Sequence, residues 1–121
     1  MASMIAAFQF LTIFPTFLKR MFTSREMGQA VGWFPLVGVV LGALLYAVNH
    51  AARLVFPDSI SAALTLLAWV VFTRAFHLDG FMDTCDGLFG GWTPERRLEI
   101  MKDSRMGAFG AAGGALVLLL K

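Results

Sequence analysis

An all-α fold embedded in a membrane is what this sequence predicts, on three observations. The chain is 58% hydrophobic and only 15% charged over 121 residues, far more apolar than an ordinary soluble domain. Residues 33–48, 59–73 and 106–120 contain no charged side chain. The acids are gathered in one place, with six of the eight between 79 and 103. A chain this short has too little polar surface to cover so much apolar side chain in water. The expectation is a polytopic transmembrane helical protein with about three spans.

The elements follow in order. The opening MASMIAAFQFLTIFP lacks a basic start and a small-residue cleavage site, so it reads as a short interfacial or half-inserted helix ending at Pro15. A spanning helix needs about 20 mostly apolar residues. The first run reaches that length by continuing through Asn49 and Ala52 toward Phe56, with Trp33 and Phe34 at one interface. Its Gly38 and Gly42 form a small-xxx-small pair that lets a second helix approach. Pro57 and Asp58 mark a short turn. The second run is long enough if Phe76 is included. The third is still apolar where the chain stops at Lys121, as in a chain cut inside a helix, so a longer protein is expected.

Basic residues orient these spans. Lys19, Arg20 and Arg25 precede the first, Arg53 stands between the first two, and Arg74, Arg96, Arg97, Lys102 and Arg105 follow the second. The positive-inside rule then puts 19–32 and 74–105 in the cytoplasm and 50–58 outside. The chain reads as a single membrane domain, 1–121, with 74–105 as its cytoplasmic metal- and phosphate-binding segment. A net charge of +2 without a basic run excludes nucleic acid as a partner. Cys85 is the only cysteine, so no intrachain disulfide forms, and it reads as a space-filling residue.

The acidic segment carries the chemistry. In HLDGFMDTCDG, residues 77–87, Asp79, Asp83 and Asp86 are spaced i, i+4, i+7, which puts three carboxylates on one helical face. Apolar neighbours such as Phe76, Phe81 and Leu88 make unpaired charge there costly. A hard divalent cation such as Mg²⁺ would compensate it. A solvated acidic loop is the plainer alternative. Gly90 and Gly91 should end this helix. Thr93 should cap the next, with Pro94 at its first position and Glu95 in its first turn. That helix is expected to run ERRLEIMKDSRM, placing Glu99 and Asp103 one turn apart. Asp103 is the expected fourth metal ligand, with Glu99 as its neighbour. His77 reads as a base or a structural hydrogen-bonding group. In the KDSR string, Lys102, Ser104 and Arg105 would grip phosphate, or else form a surface ion-pair patch. Gly107 and Gly110 would let a ligand approach the backbone.

HLDGFMDTCDGLFGG followed by ERRLEIMKDSRMGAFG resembles the signature of the cobalamin synthase (adenosylcobinamide-GDP ribazoletransferase) family, as do FLTIFP at 10–15 and GWFPLVGVVLGALL at 32–45. The resemblance covers nearly the whole chain. It implies a multi-pass, Mg²⁺-dependent enzyme of a prokaryotic inner membrane with its active segment facing the cytoplasm. Such an enzyme joins adenosylcobinamide-GDP to α-ribazole, or its 5′-phosphate, and releases GMP. The ribazole 3′-hydroxyl would be the nucleophile. Asp79, Asp83, Asp86 and Asp103 would hold the metal, Lys102 and Arg105 the phosphates, and His77 or an acid such as Asp86 or Asp103 would take the proton. A homo-oligomer or an assembly with other corrinoid-pathway enzymes is compatible with this. Family members are about twice as long, so the chain would represent an N-terminal half. DTCDG also resembles the start of the CDP-alcohol phosphotransferase motif, but Gly90-Gly91 stand where Ala-Arg would be. A non-enzymatic, cation-conducting membrane subunit is the third reading. It would need acids within a span.

Overall fold

A computed structural model describes residues 1–14 and 21–121. The expected roles of Pro15, Lys19 and Arg20 fall outside the described residues. Those residues contain helices and no strand, as expected: α1 (Ala2–Leu11), α2 (Ser24–Ala30), a 3₁₀ turn (Val31–Trp33), α3 (Phe34–Arg53), α4 (Asp58–Phe72), α5 (Phe76–Gly90), α6 (Pro94–Lys102) and α7 (Ala108–Leu119). They form two compact units, Met1–Arg74 and Ala75–Lys121.

In the first unit, α1 stops at Leu11. Thr12 turns extended, and its hydroxyl donates to the Phe8 carbonyl at 2.6 Å. The Ile13 amide donates to the Phe72 carbonyl at 2.8 Å, tying the chain after α1 to the end of α4. A Thr23–Glu26 capping box starts α2. The Thr23 hydroxyl accepts from the Glu26 amide, and the Glu26 carboxylate accepts from the Thr23 amide. From there helix continues through the 3₁₀ turn into α3, with Pro35 in the first turn where a missing N–H costs nothing. The core is small-sided: Ala6, Ala7 and Leu11 of α1 meet Ala30, Val37 and Leu41, with Phe8, Phe14, Phe34 and Phe72 around them. Alanines at 6 and 7 allow close helix approach. Asn49 of α3 donates to the Thr65 hydroxyl of α4 at 3.0 Å, and Arg53 pairs with Asp58 at 3.0 Å across the turn between those helices.

About three spans are expected; among the described residues one continuous helix, Ser24–Arg53 with 30 residues, is long and apolar enough to cross a bilayer. It begins before Trp33 and ends at Arg53 rather than near Phe56. The second run does not extend to Phe76 as one helix. α4 stops at Phe72 after 15 residues, about 22 Å of rise against a hydrocarbon core of about 30 Å. Arg74 and Ala75 have φ of 53° and 57°, a left-handed conformation that interrupts any helix of L-residues. α7 has 12 residues. Gly38 and Gly42 are exposed, and a β-carbon on either would meet nothing, so no described helix uses their small-residue face.

In the second unit α5 packs against both α6 and α7. α5 ends at Gly90 as expected, with Gly91 extended. Glycine at 91 serves close approach, because a β-carbon would lie 2.7 Å from the Arg97 side chain and 2.9 Å from the Gly87 carbonyl. Thr93 caps α6, accepting from the Arg96 amide, and Pro94 opens it. One correction concerns its end: α6 stops at Lys102, so Asp103 follows the helix instead of extending it.

The buried Ala7 contact gives a direct check. Ala7→Leu inserts extra carbons into a fully buried site and is expected to cost about 1–3 kcal/mol, read as a lower thermal midpoint in detergent.

Candidate functional site

The acidic helix forms as the spacing predicts, but its three carboxylates do not share one environment. An α-helix rises about 1.5 Å per residue, so Asp79 and Asp86 lie about 10 Å apart along the axis. Asp79 is exposed, Asp83 half-buried and Asp86 only 8% exposed. Among the described residues no group of three or more His, Cys, Asp or Glu side chains converges as a metal cage would. Partial desolvation pushes the Asp83 pKa up, and the charges of Asp79 and Asp86 add to the shift. Crowded carboxylates of this kind suit a cation. Mg²⁺ is commonly held by one or two carboxylates together with water and substrate phosphates. Asp79 and Asp83, one turn apart, fit that demand.

Asp86 and Asp103 are committed elsewhere. The Asp86 carboxylate accepts from the Gly107 amide at 2.8 Å and the Gly110 amide at 2.7 Å. The sequence reading had Gly107 and Gly110 open to a ligand. In the structure Asp86 fills that space, and a β-carbon at either position would collide with its carboxylate. Further along the same contact, β-carbons at Gly113 and Gly114 would lie 2.6 Å from the Cys85 sulfur and 2.8 Å from the Met82 sulfur. The glycines of α7 thus admit the side chains of α5, and Cys85 is buried packing as expected.

Asp103 closes a tight turn. Its carboxylate accepts from the Arg105 amide, from Nε and, at 2.7 Å, from an Nη. Those bonds hold the Asp103 pKa down at about 2, the Arg105 side chain contributing most and its amide next. Glu99 pairs with Arg96 at 2.7 Å and does not join Asp103. Arg97 donates to the Gly91 carbonyl at 2.9 Å, which gives it a structural task at the end of α5. Asp86, Asp103, Arg105, Gly107 and Phe109 line one pocket of about 270 Å³, with Gly90, Ile100 and Ala108 completing it.

Five predicted residues stay outside that pocket, Asp79 and Asp83 of α5 among them. His77 is exposed on the first turn of α5, edge-on to Phe76, about 13 Å along the helix from Asp86. Lys102 and Ser104 are exposed beside the Asp103–Arg105 turn. The feature that sequence reading missed is the bond from Asp86 to α7. A glycine at a helix start 21 residues after a buried aspartate gives only a faint signal, because no local pattern links them.

The Asp103–Arg105 turn yields a pH prediction. A carboxylate with a depressed pKa contributes fully above its ordinary 3.8 and loses that contribution as pH falls toward 2. Carboxyl NMR should show Asp103 titrating near 2, and Arg105→Ala should return it toward the ordinary value.

Comparison with known proteins adds a second line. The profile of a family described as cobalamin-5-phosphate synthase matches residues 3–121. A protein of Vibrio parahaemolyticus named adenosylcobinamide-GDP ribazoletransferase is 48% identical over 100 residues, covering 83% of this chain and 38% of its own. One of the same name from Desulforamulus reducens is 43% identical over 120 residues, covering 99% and 48%. Another from Shewanella frigidimarina is 44% identical over 115 residues, covering 95% and 44%. The chain spans less than half the length of these curated relatives. No solved structure matches it.

Proposed function

The chain belongs to the cobalamin-5-phosphate synthase family, and from that premise we propose that it takes part in adenosylcobinamide-GDP ribazole transfer at a prokaryotic inner membrane. Adenosylcobinamide-GDP would be joined to α-ribazole, or its 5′-phosphate, with release of GMP. The observation that carries this reading is the family match across the acidic face of α5 and the pocket beside it. The names of the relatives supply the substrates.

The chain's own residues divide the work. Asp79 and Asp83 are the carboxylates with acceptor capacity to spare, and they would hold Mg²⁺. When bound, the ion would neutralise charge on the diphosphate and on the departing GMP. Asp103 occupies the Nε edge of Arg105 and leaves Nη1 donors for a phosphate oxygen. Arg105 is thereby aimed before substrate arrives, which lowers the ordering cost of binding. Lys102 supplies a second cation from the end of α6. The proton of the ribazole 3′-hydroxyl would pass to His77 or to an α5 carboxylate.

A long apolar helix supports the same reading. The Ser24–Arg53 helix exposes Leu36, Val39 and Tyr46, and its uncharged run at 33–48 suits lipid. The shorter apolar helices α4 and α7 would enter the bilayer only part-way, with the acidic segment on the cytoplasmic side.

GMP release from adenosylcobinamide-GDP in the presence of α-ribazole is the decisive assay, with CMP release from a CDP-alcohol as its counterpart. Asp83→Ala is expected to lower GMP release by about 100-fold or more while the protein stays in the membrane fraction. Wild-type rates in that variant, or CMP in place of GMP, would remove this reading.

A further inference from the structure

Asp86 stands apart from the other acids of α5. It is 8% exposed, and each of its oxygens already accepts a short bond from the first turn of α7. Gly107 precedes α7 and Gly110 is its third residue, so the carboxylate sits where an N-capping side chain would. It arrives there from 21 residues upstream, on another helix. An anion at that point also meets the positive end of the helix dipole. Glycine at 107 and 110 is what leaves room for it. A serine or aspartate at 107 would cap α7 locally and close that space. The chain has given up the local cap for one supplied by α5. A local cap would serve α7 equally well; a cap from α5 also fixes where the first turn of α7 lies against α5. Arg105 is two residues before Gly107, and Asp86, Arg105 and Gly107 share one pocket.

We propose that Asp86 is a positioning residue that holds no metal. By capping α7 from α5 it sets the 103–107 segment, and the Arg105 guanidinium with it, beside the acidic face. The consequence for turnover rests on the transfer reading above; the capping itself does not.

The test compares Asp86→Asn, Asp86→Ala, Gly107→Ser and the double variant Asp86→Ala/Gly107→Ser in lipid nanodiscs. Backbone at 107, with φ −91° and ψ 176°, suits a capping serine. Hydrogen exchange of the Gly110 amide is expected to quicken by about tenfold in Asp86→Ala and to recover in the double variant. Gly107→Ser alone should also quicken it, because it collides with Asp86. GMP release should fall in Asp86→Ala and stay low in the double variant, because a serine cap restores the helix start without tying it to α5; full recovery of release there would overturn the positioning role. Mn²⁺ affinity, read by electron paramagnetic resonance, should fall by less than about tenfold in Asp86→Asn, the least that disturbing even a ligand's partner costs. It should collapse in Asp83→Asn. Equal loss of Mn²⁺ in Asp86→Asn and Asp83→Asn would make Asp86 a ligand and overturn the proposal. Failure of the double variant to restore exchange protection would overturn it too. If no form binds Mn²⁺, the metal reading of Asp79 and Asp83 fails, and the exchange series alone decides the role of Asp86.

Discussion

The second unit is organised around one buried anion. Asp86 would be costly where it lies if its oxygens were unpaired. Two main-chain amides from the start of α7 meet that need, at 2.8 and 2.7 Å. They can come so close because positions 107 and 110 carry no side chain, and Gly113 and Gly114 continue the same contact past Cys85 and Met82. The bond therefore decides how α7 lies on α5. Through the short connection before α7, it also decides where Asp103 and Arg105 stand. α6 is fastened by a separate bond, from Arg97 to the Gly91 carbonyl at the C-terminal end of α5.

Four aspartates that look alike in sequence have separated into two kinds. Asp86 and Asp103 each offer both oxygens to protein donors, the first to two amides and the second to the Arg105 amide and guanidinium. Asp79 and Asp83 do not. Desolvation and the neighbouring acids make ionised Asp83 less comfortable than a free carboxylate, and an outside cation would relieve that cost. In this arrangement the protein supplies a short acidic edge and leaves much of a cation's coordination to water and phosphate.

What could be read in advance was mostly local. The all-α class, the end of α5 at Gly90, and the Thr93–Pro94 start of α6 follow from short-range patterns, and the structure has them. The Thr23–Glu26 capping box was equally visible in the spelling T-x-x-E and went unread beside the longer apolar run. Angular spacing placed three acids on one face correctly but ignored rise along the axis, which keeps Asp79 away from Asp86. The end of α6 was misjudged because the Asp103–Arg105 pairing competes with continued helix. The break after α4 had no signal either: Thr73, Arg74 and Ala75 are neither glycine nor proline, yet two of them adopt positive φ. The Asp86 contact depends on residues 21 and 24 positions away, beyond the reach of any local rule.

That separation has a bearing on biosynthesis. A ribosome makes α5 well before the amides of Gly107 and Gly110 exist. During that interval Asp86 has neither of its native partners. α5 therefore cannot settle into its final surroundings until the start of α7 has left the exit tunnel, and the late-made turn acts as the latch that completes the earlier helix.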